Sequence, residues 1–263
     1  MSYIIGIALG MASIAFSLRF LNQTYHTYID DVAILMVIGG TLSVGIVSMQ
    51  WQNWRRVVDA LWSVLINRSP SHNSVVSSGL FLIQNRHVEG IPSSMNSSVA
   101  HEILKDGAEM LNLDFTTDEL QTILHERLQQ SLNTRKESAN YFIRLAKYPP
   151  AFGLVGTVFG LINLMRSLTD GMTPGETGVK MSLALIATLY GLLVSNFIVF
   201  PIGEAILKRS SLEKHHGEIA IQAVLLASEK TSLLKAQELL NSFVARRDRV
   251  DIIKSSLEQQ ASA

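Results

Sequence analysis

Apolar and polar positions along the chain fall into two regimes. Four stretches are apolar all round: Tyr3 to Leu21, Val32 to Met49, Pro149 to Met165 and Met181 to Gly203. A helix needs roughly 20 such residues to cross a bilayer, so each predicts a membrane-spanning helix. Between and after them the pattern changes to the spacing of a half-buried helix. From Thr116, Leu120, Ile123, Leu124, Leu128, Leu132, Phe142 and Leu145 recur on one face. Thr116 with Glu119 reads as a capping box that starts this helix. In the tail, Ile219, Ala223, Leu226, Leu233, Leu239, Leu240 and Phe243 predict one or two packed helices, with a frayed polar end from Arg249. "SGLFLIQNRHVEGIPSSMNSSV" reads as a short helix and a loop. No strand pattern is found. The expected fold is an all-α membrane protein with four transmembrane helices, a helical cytoplasmic domain between helices 2 and 3 and a helical cytoplasmic tail. The expected boundaries are 1–50 for the first two spans, 51–148 for the domain, 149–203 for the last two spans and 204–263 for the tail.

Composition agrees with this division. Of 263 residues, 48% are hydrophobic and only 17% charged, against about 25% charged in ordinary soluble domains. The balanced formal charge of zero argues against nucleic-acid binding. No cysteine is present and the seven histidines show no ligand spacing, so neither a disulfide framework nor a metal site is expected, nor any cofactor or enzymatic role. The first apolar stretch lacks the basic start and small-residue cleavage site of a signal peptide, so it reads as a retained helix.

Basic residues give the orientation. The connection Asn22 to Asp31 has no Lys or Arg, and Ser167 to Lys180 has one. Gln50 to Tyr148 has ten and the tail from Glu204 has nine. Both basic-rich parts, and both termini, are therefore expected on the cytoplasmic side of the membrane.

The apolar runs of the last three spans contain no ionisable residue. Ionisable residues inside a bilayer are expensive and usually mark ion pathways. A chain without them either transports nothing or obtains its charged group from a partner. What the spans do offer is hydroxyls, such as Thr157 and Thr188, and small residues. Gly153, Gly156, Gly160 and Gly191 are costly in a water-exposed helix, but in lipid they let helices approach closely, within one subunit or between subunits. Pro150 lies at the start of the third span, where proline suits a first turn. Pro201 lies inside an apolar run, where proline bends a helix.

"VAILMVIGGTLS", "YPPAFGLVGTVFGLINLM" and "ALIATLYGLLVSNFIVFPIG" resemble the membrane signatures of the flagellar motor stator A subunits, the MotA/PomA family within the MotA/TolQ/ExbB superfamily. The resemblance extends over essentially the whole chain and is weakest in the middle domain. It implies five copies in a homo-oligomeric ring around two B subunits, each supplying an essential aspartate and a part that grips peptidoglycan. It implies bacterial motility and chemotaxis driven by inward ion flow, with torque passed to a rotor switch-complex protein. Pro150 and Pro201 match the family's prolines and Thr157 and Thr188 match hydroxyls facing the ion path. Sodium-driven relatives carry a threonine pair where this chain has Ala187-Thr188, so the proton is the expected cation and sodium the alternative. The family's rotor-contacting charges are an arginine and a glutamate in the middle domain; this chain departs from the pattern there, in a segment poor in charge, where Arg86 and Glu89 are the candidates and Glu102 and Lys105 the next. The competing readings are an ExbB/TolQ-like proton-channel subunit that energises the outer membrane, and a solitary transporter or channel.

Overall fold

The computed structural model describes residues 2–20, 28–48, 54–65, 70–85, 98–169, 171 and 173–251. Among these residues all regular structure is helical. The helices are α1 (Ser2–Phe20), α2 (Asp31–Ser48), α3 (Trp54–Leu65), α4 (His72–Asn85), α5 (Val99–Asn112), α6 (Thr117–Leu145), α7 (Tyr148–Thr169), α8 (Pro174–Leu193), α9 (Phe200–Ser228) and α10 (Leu233–Asn241). A π-helical segment, Val194–Val199, stands between α8 and α9, and a 3₁₀ turn covers Arg246–Asp248.

Three helical stretches are long and apolar enough to cross a membrane: Asp31–Ser48, and one each within Thr117–Thr169 and Gly175–Ser228. The apolar stretch found in α1, Ile5–Ser17, is shorter than that standard.

The chain divides into two compact units. One comprises Met1–Leu65 with Glu137–Leu207, the other Ile66–Lys136 with Lys208–Ala263. This division differs from the one read from hydropathy: α3 and the end of α6 group with the apolar helices, and the rest of the middle segment groups with the tail. The reason is visible in the packing of each unit.

In the first unit α7 packs chiefly on α8 and then on α2. The buried positions of α2 are Ala33, Val37, Thr41 and Gly45, a stripe at four-residue spacing on an otherwise exposed helix. Thr41 satisfies its hydroxyl one turn back, on the Val37 carbonyl at 2.6 Å. Tyr141 of α6 donates to the Gly45 carbonyl at 2.8 Å. Val57 of α3 packs in a cluster with Ala139, Phe142 and Ala146 from the end of α6 and its turn and Val199 and Ile206. Trp54 and Trp62 of the same helix are exposed. An amphipathic helix with outward tryptophans suits a membrane interface.

The second unit is a conventional core. Leu120, Leu124, Leu128 and Leu132 of α6 are no more than 1% exposed. They meet Leu82 of α4, Leu104 of α5, Leu240 of α10 and a nearly continuous buried run on α9 that includes Ile219, Ala220, Ile221, Ala223 and Val224. A helix buried all round is a central helix. Glycines bring its neighbours in: a Cβ on Gly79 of α4 would lie 2.7 Å from that of Ala223, and one on Gly107 of α5 would strike Val224. The capping box is present at the start of α6. The Thr116 amide donates to Glu119 Oε2 at 3.0 Å and the Glu119 amide to Thr116 Oγ1 at 3.4 Å, which holds the Glu119 carboxyl below the usual range through its bonds to Thr116.

Arg135 of α6 and Arg209 of α9 share the carboxylate of Glu213, which is 1% exposed, each through Nε at 3.0 Å. The Asn241 side chain binds both the amide and the carbonyl of Val250, at 2.9 and 2.8 Å, and most of the polar end expected to fray lies outside the described residues.

Candidate functional site: the paired threonines between α7 and α8

Helices α7 and α8 come together along a seam of small residues. A Cβ built on Gly153 would lie 2.8 Å from the Ala187 carbonyl oxygen and 2.9 Å from Thr188 Cα. On Gly156 it would meet Ala187 Cβ at 2.6 Å, and on Gly160 it would meet Ala184 Cα at 2.9 Å. Gly191, from the other helix, is seated against the Pro149 carbonyl and 3.0 Å from Pro150 Cα by the same construction. All four glycines singled out in the sequence therefore lie on this one seam. Three of the four, Gly153, Gly160 and Gly191, meet backbone atoms that no rotamer change can move.

The seam brings together the two threonines. Thr157 Oγ1 and Thr188 Oγ1 are 2.5 Å apart. Thr157 also reaches the carbonyls of Gly153 and Ala184, each at 3.2 Å, and Thr188 reaches the Gly153 carbonyl at 3.3 Å. Two hydroxyls carry two protons and at least four lone pairs, so oxygen acceptors outnumber donors here. The close Gly153 backbone makes this possible, since a side chain at that position would hold the helices apart. A knot of hydroxyl and carbonyl oxygens, half-buried and with no fixed charge, is chemically a place for a small cation or a proton donor to be received.

A cleft of about 450 Å³ opens beside the seam between α2, α7 and α8. Its walls are apolar and small, including Ala33, Gly156, Gly160 and Ala187, and its polar groups are Asp30, Asn163 and Lys180. Lys180 Nζ donates to Ser167 Oγ at 2.6 Å. Asp30 Oδ1 accepts from the Val32 amide at 3.0 Å at the start of α2, and the Asp30 amide donates to Tyr190 Oη at 3.3 Å. Tyr190 in turn donates to the Tyr28 carbonyl, tying the chain entering α2 to α8. Among the described residues no group of three or more His, Asp or Glu side chains is arranged to hold a metal.

The two prolines have different settings. Pro150 is the third residue of α7, within the first turn, where no intrahelical N–H is lost. Pro201 is the second residue of α9, separated from the π-helical segment by Phe200 alone. There the ladder has already slipped by one residue: the Phe200 amide bonds Ser195 O, five residues back. The wider turn accommodates a proline that supplies no N–H. Ser195 is also the residue whose hydroxyl donates to the Ala146 carbonyl, in the turn between α6 and α7. The π segment and this serine bridge were not legible in the sequence beyond the presence of a serine in an apolar run.

Of the four charges carried over to rotor contact, Arg86 and Glu89 lie outside the described residues. Glu102 and Lys105 are exposed on α5, in the other compact unit.

Residues 95–218 match the family described as the MotA/TolQ/ExbB proton channel family. Motility protein A of Borreliella burgdorferi is 24% identical over 254 residues, spanning 96% of each chain. The fold is that of a chain in the C. jejuni MotAB structure, with a TM-score of 0.83, 20% identity and coverage of 95% of this chain and 98% of that one. It is also that of a chain in the flagellar MotAB stator complex from Bacillus subtilis, with a TM-score of 0.78, 21% identity and the same coverage. Apolar helices, sequence similarity over nearly the full length and a shared fold point the same way: the chain is similar to the motility protein A chains, and its residues 95–218 match the wider MotA/TolQ/ExbB family.

Proposed function

We propose that this chain is the A subunit of a flagellar motor stator. It sits in the bacterial inner membrane with four spans and both termini in the cytoplasm. Five copies surround two B subunits, whose aspartate supplies the charge these spans lack. The observation that carries the reading is the oxygen-rich Thr157–Thr188 knot, set among apolar runs with no ionisable side chain. It supports a role in receiving a cation from a partner's carboxylate, and none in holding one unaided.

Thr157 and Thr188 line the ion path. Pro201 and the π segment before it form the flexible point at which α8 passes into α9, and Pro150 sets the start of α7 against Gly191. The cation is the proton rather than sodium, since Ala187 provides no second hydroxyl beside Thr188. Glu102 and Lys105, with Arg86 and Glu89, contact the rotor.

Deleting the chain should leave flagella assembled and cells non-swimming, with swimming restored by the wild-type chain. Swimming speed should fall with a protonophore and not respond to external sodium. Normal swimming in the deletion strain, with a defect in outer-membrane integrity or uptake instead, would move the chain to the ExbB/TolQ side of the group. A reporter at the N-terminus separates the same alternatives, since periplasmic placement contradicts the stator reading.

A further inference from the structure

The second compact unit holds a histidine cluster that the stator reading does not use. His72 is the first residue of α4, and His215 and His216 are neighbours on α9. His216 Nε2 lies 3.0 Å from His72 Nδ1. The His72 ring packs edge-on against both others, at centroid distances of 4.8 Å to His216 and 5.5 Å to His215. His215 Nε2 is bonded to the Phe243 carbonyl at 2.9 Å. His216 is only 2% exposed, and its second nitrogen, Nδ1, is buried with no hydrogen-bond partner.

A ring-to-ring N–H···N bond needs one proton between the two facing nitrogens. If His216 donates, its buried Nδ1 is a bare acceptor, and protonating it creates a charged N–H with nothing to receive it. If His72 donates, His216 gains its proton on Nε2, and two N–H groups then face each other at 3.0 Å. Either arrangement penalises the protonated ring, because its charge is buried and one of its N–H groups has no acceptor.

Nearby charges give no relief. His72 is the one titratable residue of α4. On α9, Glu213 is committed to Arg135 and Arg209, and Lys214 lies 3.7 Å from Glu218. Lys235 and Glu238 of α10 are exposed, and Arg246, Arg247 and Asp248 occupy the turn beyond. On α6, Arg127 lies 2.6 Å from Asp106 of α5, and His125, Glu126 and Lys136 are exposed. The electrostatic influences on His216 are those of His72 and His215. Among the described residues no carboxylate stands ready to stabilise an imidazolium.

We propose that the His72–His216 pair, with His215 beside it, is a proton-sensitive latch that fastens α4 to α9 near neutral pH and loosens as the surrounding solution acidifies. That this solution is the cytoplasm, into which a proton-driven stator discharges, rests on the stator reading; the latch itself does not. Burial, followed by the two neighbouring histidines, lowers the His216 pKa from 6.5 to about 4. The neutral ring is thus favoured in the folded chain. Its stabilising contribution is complete above the unfolded value of 6.5 and is lost progressively as pH falls towards 4. Over the window from pH 7.5 to 5.5 the folding equilibrium of this unit should fall by about tenfold through this one group.

The experiment uses the full chain in lipid bilayers. Denaturant unfolding of this unit is followed at pH 7.5 and 5.5 for the wild type and for His216→Gln, whose amide can still donate to His72. The expected result is the tenfold loss in the wild type and at most a twofold loss in the variant. Equal losses in both overturn the latch. Should the variant not fold, the wild type decides alone by carbon-13 NMR of its seven histidine rings. A ring that stays neutral down to about pH 4 is expected, and titration of all seven near pH 6.5 overturns the proposal. Neither measurement depends on swimming, so a failed latch and a failed stator assignment are told apart.

Discussion

Leu154 on α7 and Leu124 on α6 are the same side chain on helices of the same protein, yet the first is 62% exposed and the second 0%. The contrast holds across their surroundings. On α7, Val158, Phe159 and Ile162 are each more than half exposed, and the closest approaches to α8 are made at glycine and alanine. On α6 the leucines are interior and the surface carries Asp118, Glu119, Glu126 and Arg127. In lipid, apolar side chains gain nothing by turning inward, and helices associate through close backbone approach and shared hydrogen bonds. In water, the gain comes from removing leucine from solvent. The two units therefore follow opposite packing rules, and the small residues mark the helix seam in one as the large residues mark the core in the other.

The largest effect should follow from treating the two leucines alike. Leu124→Ala removes a fully buried side chain and should destabilise its unit by about 2–5 kcal/mol. Leu154→Ala exchanges one lipid-compatible side chain for another and should cost under about 0.5 kcal/mol. Unfolding of the full chain in bilayers measures both. Equal losses would mean that α7 is buried against protein at Leu154 in the assembly, and the rule assigned to that face would then be wrong.

Overpacking reverses the contrast. Gly153→Val places atoms within reach of the Ala187 carbonyl and Thr188 Cα, neither of which can rotate away. Such strain typically costs about 1–3 kcal/mol. It should also part the two threonines, so swimming should fail while membrane insertion persists. At Gly39, where an added Cβ meets nothing within 4 Å of the chain, Gly39→Ala should leave the stability of the isolated chain unchanged. A loss restricted to the assembled complex would then place a neighbouring subunit against Gly39.

These rules explain what could be read beforehand. The long helix from Thr116, its capping box and its leucine stripe were legible because amphipathic spacing and capping are local signals. The Gly153–Gly156–Gly160 face and the two threonines were also legible, since small and hydroxyl residues stand out in an apolar run. Their meeting at 2.5 Å was not, because the pairing of α7 with α8 is a tertiary fact. The π segment was hidden for a similar reason: proline announces a disturbed ladder but not how the preceding residues absorb it. The Arg135–Glu213–Arg209 cluster and the His72–His216 pair join residues far apart in the chain. Only Arg209 and Glu213, one turn apart, were close enough for the sequence to suggest a contact. Helix α3 was passed over because its 12 residues follow a span directly and blur its boundary.

A small expected effect on stability is also the most informative about function. Thr188→Val keeps nearly the same shape and leaves Thr157 with the carbonyls of Gly153 and Ala184 still within 3.2 Å. Hydrogen bonds between membrane helices are worth about 0.6 kcal/mol on average, so chain stability and abundance should barely change. If the hydroxyls serve only to pin α7 to α8, swimming speed should barely change either. If they line the ion path, the variant should lose most of its speed at unchanged abundance, because it removes one oxygen from the small set a cation can use. Thr157→Val should behave alike in motility but cost more in packing, since Thr157 reaches two carbonyls and its partner hydroxyl. Speed that tracks abundance in both variants would return the pair to a purely structural role. The charge in the motor would then have to be handled entirely by the partner's carboxylate.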